Sequence, residues 1–204
     1  YYALANQNFT TATDNYNTAV GFAAGELINT AIYNTLVGGL CGDALTTGGY
    51  NVAVGASALS LEDTGRKNVA VGAYTLQSQN SDVDNFNTAV GYFAGGSTNA
   101  YNTAVGYNSG NSVSTGVQNT LIGGAAGDAL TSSNDNTAVG YRALGSATTG
   151  NENTAIGHTA LYTNILSDRN TAVGVDALSV HNQATSVDSY NTAVGHAAGQ
   201  NVTT

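Results

Sequence analysis

One five-residue motif recurs along the whole chain and limits what it can fold into. The motif is Asn17-Thr18-Ala19-Val20-Gly21, and eleven copies or close variants occur in 204 residues. The numbers of successive final glycines differ by 17 in seven of ten intervals, and by 19, 15 and 21 in the other three. A fixed period across a whole chain is typical of a solenoid, in which no repeat can bury its apolar side alone. We therefore predict an all-β parallel β-solenoid, a β-roll or β-helix with one rung for each copy of the motif.

The same repetition predicts the domain organisation. Residues 1–204 form a single repeat array of about 11–12 rungs, and we expect it to be part of a longer array. A five-rung super-repeat overlies the short period, because Asn34–Leu45 matches Asn119–Leu130 five rungs later. Alanine, glycine, asparagine, threonine and valine dominate, and such small residues suit a thin stacked β structure.

Asparagine and glycine stand at fixed places in every copy, and we count rung positions from the asparagine as position 1. Short amide side chains suit a corner of the backbone and can bond to their equivalents in stacked rungs. We therefore predict a structural asparagine ladder and a set of turn glycines at position 5. The asparagines are Asn17, Asn34, Asn51, Asn68, Asn87, Asn102, Asn119, Asn136, Asn153, Asn170 and Asn191. The glycines are Gly21, Gly38, Gly55, Gly72, Gly91, Gly106, Gly123, Gly140, Gly157, Gly174 and Gly195.

The pattern at positions 2 to 4 predicts a strand with β-branched residues on one face. Position 2 is threonine or valine and position 4 is valine or isoleucine, so strand alternation places both on the same side. We expect that side to face the interior, and Val105→Asp should then disrupt its rung. Position 3 is alanine, except where Leu36 and Leu121 are each followed by glycine at position 6. This exchange of volume suggests a packed outer face, and a strand buried on both faces needs a second layer. We infer that another copy of the chain supplies it.

Positions 8 and 9 describe the remaining core. Position 8 is always small, and the single cysteine, Cys41, falls there, which favours a packing role. Position 9 is leucine in five rungs and glycine in six, so we expect glycine rungs to fill their core by other means. In two of them a leucine follows three positions later, at Leu45 and Leu130.

Charge and motif patterns argue against several functions. The chain has 13 acidic and four basic residues and a net charge of −9, which disfavours nucleic acid as a partner. No apolar run is long enough for membrane insertion by this segment. The acids Glu26, Glu62 and Glu152 lie on different rungs, so we expect no catalytic carboxylate pair and no enzyme activity. His158, His181 and His196 have no ligand partners at useful spacing, and we expect no metal and no cofactor. We place His181 in a loop that accounts for the longest interval.

The repeated motif resembles two groups of fibrous proteins over the whole chain. Asn-Thr-Ala-Val-Gly is similar to the Asn-Ser-Val-Ala-Ile-Gly repeats in the heads of trimeric autotransporter adhesins, which are left-handed parallel β-rolls. It resembles more closely the NTAVG arrays, with a Thr-Thr-Gly turn such as Thr148-Thr149-Gly150, of phage-type tail fibres and bacterial surface fibres. The rung here is longer than in the adhesin heads. The resemblance implies a homotrimeric fibre and an extracellular location, on a cell surface or a virion.

Two functional interpretations remain open. The first is a structural fibre shaft that associates with itself and adheres to a surface or glycan. The second is a single-chain solenoid that binds carbohydrate or ice through a repetitive face. An aromatic stripe before the opening asparagine could stack on sugars or pack between chains, and it comprises Tyr16, Tyr33, Tyr50, Phe86, Tyr101 and Tyr190. Ice binding would need an outward threonine file, including Thr103 and Thr120, which is opposite to the face assigned above.

Overall fold

The fold is a parallel β-solenoid whose strands coincide with the repeated motif. A computed structural model describes residues 1–9, 14–96, 99–181 and 188–202. Its strands are β1 (Thr18–Val20), β2 (Thr35–Val37), β3 (Val52–Val54), β4 (Val69–Val71), β5 (Thr88–Val90), β6 (Thr103–Val105), β7 (Thr120–Ile122), β8 (Thr137–Val139), β9 (Thr154–Ile156), β10 (Thr171–Val173) and β11 (Thr192–Val194). The predicted solenoid, with one strand for each copy of the motif, is therefore confirmed, and the described residues include no helix.

All eleven strands form one parallel sheet in sequence order. Each residue lies opposite its equivalent in the next rung, as Thr103 does with Thr120. The register also survives the irregular spacings, because Val69 pairs with Thr88 and Thr88 pairs with Thr103. Extra or missing residues are therefore absorbed outside the sheet.

The side chains of the strands point opposite to our expectation. In the nine inner strands the middle residue is buried, at 0–3% exposure, whether it is alanine or leucine. Positions 2 and 4 lie outside, and Val20, Val90 and Ile122 are 58%, 36% and 39% exposed. The inward assignment of the threonine and valine files was wrong, and the expectation that Val105→Asp would disrupt its rung loses its basis with it. Alternation fixes which residues share a side but not which side is inner, and this narrow coil accommodates alanine where a β-branched residue would crowd it.

The apparent volume exchange between positions 3 and 6 also has another cause. Leu36, at position 3, points into the coil. Position 6 lies on the outside, as Phe22 at 56% exposure shows, so the two positions do not share a space. The leucine instead fills space left by two position-9 glycines. A Cβ on Gly25 or Gly42 would lie 2.8 Å or 3.0 Å from a Leu36 methyl carbon. Leu36 therefore compensates for missing side chains within the core.

Position 12 completes the core. From the sequence we had identified only two of its residues, Leu45 and Leu130, as core residues. In described rungs with glycine at position 9, position 12 is a branched aliphatic residue, and these are Ile28, Leu45, Val113, Leu130 and Val202. In rungs with leucine at position 9, it is small or polar, and these residues are Glu62, Gln79, Ala147, Asn164 and His181. In every rung whose position 12 is described, one large apolar side chain at position 9 or position 12 fills the interior.

The corners of the rung depend on left-handed backbone at residues other than glycine. The residue before each asparagine has φ between 49° and 65°, with Tyr16 at 49° and Tyr101 at 65°. Position 7 is also left-handed, as is position 9, where Leu144 has φ of 52° and Gly127 has φ of 55°. Such conformations cost non-glycine residues about 1 kcal/mol or more each. Stacking between rungs must therefore hold them in place.

Candidate functional surfaces

The asparagine side chains form a continuous hydrogen-bonded ladder inside the coil. The Asn136 Oδ1 atom accepts the backbone N–H of Asn153 at 2.9 Å. The Asn136 Nδ2 atom donates to Asn119 Oδ1 at 3.1 Å and, across the same rung, to the Gly150 carbonyl at 2.9 Å. Nine of the eleven asparagines are buried, at 0–3% exposure, and Asn17 and Asn191 in the end rungs are half-buried. We had placed the asparagine at the corner of the backbone, but the left-handed corner residue is the one before it.

The position-5 glycines stack directly on one another where the strand ends. Their φ values run from 124° to 148°. A Cβ on any of the ten glycines from Gly21 to Gly174 would lie 2.1–2.5 Å from the carbonyl oxygen of the next one. Any side chain here would force neighbouring rungs apart.

The aromatic stripe is divided into short stacks. Tyr16, Tyr33 and Tyr50 form one run, with ring centroids 5.1 Å and 4.9 Å apart. Phe86 and Tyr101 form a second, at 5.3 Å. Within a run the ring faces cover one another, and the solvent meets mainly ring edges and hydroxyl groups. A sugar therefore cannot stack on Tyr33, which has a ring on each face, and the faces that stay free of an aromatic neighbour belong to the rings that end a run.

Lys67 and Arg169 occupy the same rung position as the aromatic stripe, immediately before an asparagine, and each contacts residues of the following rung. Lys67 Nζ lies 2.5 Å from Asp84 Oδ2 and 4.7 Å from the centre of the Phe86 ring. Arg169 pairs with Glu152 and Asp188 and lies over the ring of Tyr190. Both cations stand immediately before a rung with a longer interval. Because the groups are exposed, each pair adds little stability, and its main effect is local positioning.

The outer face of the sheet is a continuous strip of β-branched side chains. The file at position 4 is valine or isoleucine in every rung, and the file at position 2 is threonine in nine and valine in two. Neighbouring rungs are about 4.8 Å apart, so the strip extends for about 48 Å. It carries no charged residue. Such a strip can pack against another apolar surface or order water over a regular array of hydroxyl and methyl groups.

Glu62 and Cys41 are both buried and hydrogen-bonded inside the coil. Glu26 is half-buried and Glu152 is exposed. Glu62 is buried and accepts hydrogen bonds from Gly65 N–H at 2.7 Å and Gln79 Nε2 at 2.8 Å. Burial raises the pKa of the Cys41 thiol to about 12, and Cys41 Sγ donates to the Ala53 carbonyl. Among the described residues, no three His, Cys, Asp or Glu side chains converge as a metal site.

The histidines occupy three different environments. His158 stacks on Tyr141, with ring centroids 5.5 Å apart. His196 is exposed at position 6 of its rung. His181, which we had placed in a loop, is instead buried at position 12, with Nδ1 3.1 Å from the Val202 carbonyl. Because that carbonyl can only accept, Nδ1 is the protonated nitrogen, and the ring acts as a core residue.

Comparisons with protein-family models, with curated proteins and with solved structures found no match. The described part of the chain has no helix that is long and apolar enough to cross a bilayer.

Proposed function

We propose that this chain is the structural shaft of an extracellular or virion fibre, in which copies associate through the outer face of the sheet. The observation that carries the proposal is the uncharged strip of threonine, valine and isoleucine, which is about 48 Å long. Soluble proteins rarely leave so extended an apolar surface uncovered, and such surfaces usually mark an interface. The resemblance to trimeric fibres makes three chains the expected number.

The surface that best matches this strip is the same strip on a second copy of the chain. Every rung presents the same residue types at the same spacing, so one strip is complementary in period to another along its whole length. The absence of charge removes repulsion at the contact despite the net charge of −9. A stiff shaft follows, because each rung bonds to its neighbours and each strip would pack against another chain.

The native mass, measured by light scattering, and negative-stain images test this proposal. We expect trimers or longer fibres for the parent protein. Val105→Asp combined with Val139→Asp places two charges on the strip and should give folded monomers. The matched control is Ser112→Asp with Ser132→Asp, which adds the same charge on exposed residues away from the sheet. A monomeric parent protein would refute self-association.

A second candidate function, ice binding, is favoured by the outward direction of the threonine file. We had argued against it because the threonines were expected to face inward, and that objection no longer holds. Replacement of Thr103 and Thr120 by lysine should then leave the fold intact and abolish thermal hysteresis. If the parent protein shows no thermal hysteresis, this candidate is excluded and the shaft remains.

A further inference from the structure

A groove beside the longer rung after Asn68 has the features of a ligand site. One cavity of about 420 Å³ is lined by Thr47, Thr64, Arg66, Asp82, Val83 and Asp84. A second, of about 290 Å³, is lined by Thr30, Ile32, Thr47, Gly49, Tyr50 and Arg66. Thr47 and Arg66 border both, so the two cavities form one groove, which we call the Arg66 groove. Its volume is in the range of small-molecule sites, about 300–1,000 Å³.

Arg66 has no ion-pair partner within the described structure. The other three cations are engaged, since Lys67 and Arg169 form ion pairs and Arg142 lies over the rings of Tyr141 and Tyr162. Arg66 is exposed in the groove, and its guanidinium offers five N–H donors in a fixed plane. A chain with only four cations thus places one of them, unpaired among the described residues, at a concave part of its surface.

The rest of the lining supplies acceptors and hydroxyl groups. The Thr64 hydroxyl donates to Asp82 Oδ1 at 2.9 Å and lies 3.2 Å from the Ser81 carbonyl. One oxygen of the Asp84 carboxylate accepts a hydrogen bond from Lys67. Arg66 and Lys67 offset the two carboxylates of the lining, Asp82 and Asp84, so the groove has no excess positive charge to attract an anion, and the chain's net charge of −9 opposes one. A neutral polyhydroxyl ligand can use both the guanidinium and the carboxylates, because each sugar hydroxyl both donates and accepts.

Tyr50 adds an apolar surface at the other end of the groove. It is the last ring of its run, stacked on Tyr33 on one face only, and it has no aromatic neighbour on the other among the described residues. An aromatic ring beside directed polar groups is a common composition for a small-molecule site. The groove is therefore the one place where the end of an aromatic stack, an unpaired guanidinium and carboxylates adjoin in the described structure.

We propose that the Arg66 groove binds a neutral saccharide, with Arg66 and Asp82 bonding to its hydroxyl groups and Tyr50 packing against its ring. The groove is formed by the turns that return the chain to the sheet and lies outside the strip of positions 2 and 4. Binding is therefore independent of association between copies. In a fibre, the site would be present once per chain.

Titration of the 204-residue protein with glucose, galactose and N-acetylglucosamine, followed by ligand-observed NMR, tests the proposal. We expect at least one to bind at millimolar concentration. Arg66→Gln and Tyr50→Ala should each weaken that binding at least tenfold. The matched controls are Arg142→Gln, a cation outside the groove, and Tyr101→Ala, which stands at the same rung position as Tyr50. Both should bind as the parent does, and circular dichroism should show that all four variants are folded.

Three results would overturn the proposal: no binding by any of the three sugars, equal loss in the controls, or tighter binding of glucuronate than of glucose. The last would show that the groove selects anions. Light scattering on the same samples separates this proposal from the fibre shaft. Folded monomers of Val105→Asp with Val139→Asp should still bind the sugar, whereas a monomeric parent protein that binds sugar would refute only the shaft.

Discussion

Two neighbouring rungs, residues 119–135 and 136–152, have the same backbone and different cores. The first is a glycine rung, whose interior holds Leu121, Gly127 and Leu130, and the second is a leucine rung, with Ala138, Leu144 and Ala147 at the same places. Both keep a left-handed residue at position 9. The comparison shows that the coil fixes an interior volume and a set of backbone angles, and that several combinations of side chains satisfy them.

A charge inside the leucine rung should have the largest effect. Ala138→Asp places a carboxylate in the interior without a partner, and we expect it to lower the free energy of unfolding by about 4 kcal/mol or more. The adjacent Val139→Asp points outward and should cost less than about 1 kcal/mol. Urea denaturation followed by circular dichroism measures both. Equal losses would mean that the two faces are not distinct.

Adding a side chain to the glycine rung should be the next most damaging change. A Cβ on Gly127 would lie 2.7 Å from a Leu130 methyl carbon and 2.8 Å from one of Leu121. We expect Gly127→Leu to cost about 3 kcal/mol through overpacking. Combining it with Leu130→Ala and Leu121→Ala removes both clashes and reproduces the arrangement of Ala138, Leu144 and Ala147, so this triple variant should recover most of the stability. Failure of the rescue would show that the two core types are not interchangeable.

Removing the large residue from the leucine rung should cost somewhat less. Leu144→Ala leaves a cavity in a rung whose other interior residues are alanine, and we expect a loss of about 2–3 kcal/mol. Ala147→Leu introduced with Leu144→Gly should restore stability, because it converts the rung to the glycine type. Urea denaturation measures both variants. If Leu144→Gly with Ala147→Leu is less stable than Leu144→Ala, the two core types are not interchangeable.

The asparagine ladder is common to both rungs, so it should respond equally in both. Asn119→Ala and Asn136→Ala each remove hydrogen bonds to the next rung and to a carbonyl across the coil. We expect each to cost about 2 kcal/mol, since buried groups lose their partners. Costs that differ by more than about 1 kcal/mol would show that the ladder depends on the local core.

The smallest predicted effect depends on pH and occurs only in the glycine rung. Burial raises the pKa of Asp128, partly opposed by a backbone hydrogen bond and by Arg142, whereas Gly145 stands at this place in the leucine rung. The folded state therefore holds the proton more tightly, and stability from this group falls as pH rises through the raised pKa. Asp128→Asn should stabilise the protein at pH 7 by less than about 1 kcal/mol, because the group is half exposed. At low pH, where Asp128 is protonated, the variant and the parent should have the same free energy of unfolding. If the variant is still more stable there, titration of Asp128 is not the cause.

The sequence predicted the solenoid, its strands and its register, because a fixed period leaves few ways to stack identical segments. It did not predict which strand face is inner. The necessary signal was present, since Leu36 and Leu121 occur only in rungs with glycine at position 9, Gly42 and Gly127, which indicates a shared interior.

The polar core and the Arg66 groove were harder to foresee. Glu62, Gln79, Asn164 and His181 look like surface residues until position 12 is known to be interior. The groove depends on how the turns around Asp82 sit against earlier rungs, and no pattern within a single rung encodes that. Whether the chain assembles, and what it binds, stays a prediction.

The ladder of asparagines gives every boundary between rungs the same chemistry, with an acceptor on one side and donors on the other. A gene that gained or lost one whole rung would therefore rejoin identical surfaces, and the protein would change length by about 4.8 Å without a new fold. Insertions of other sizes survive only outside the sheet, as the longer intervals before Asn87 and Asn191 illustrate. Unequal recombination between repeats could thus adjust the length of such a molecule in uniform steps.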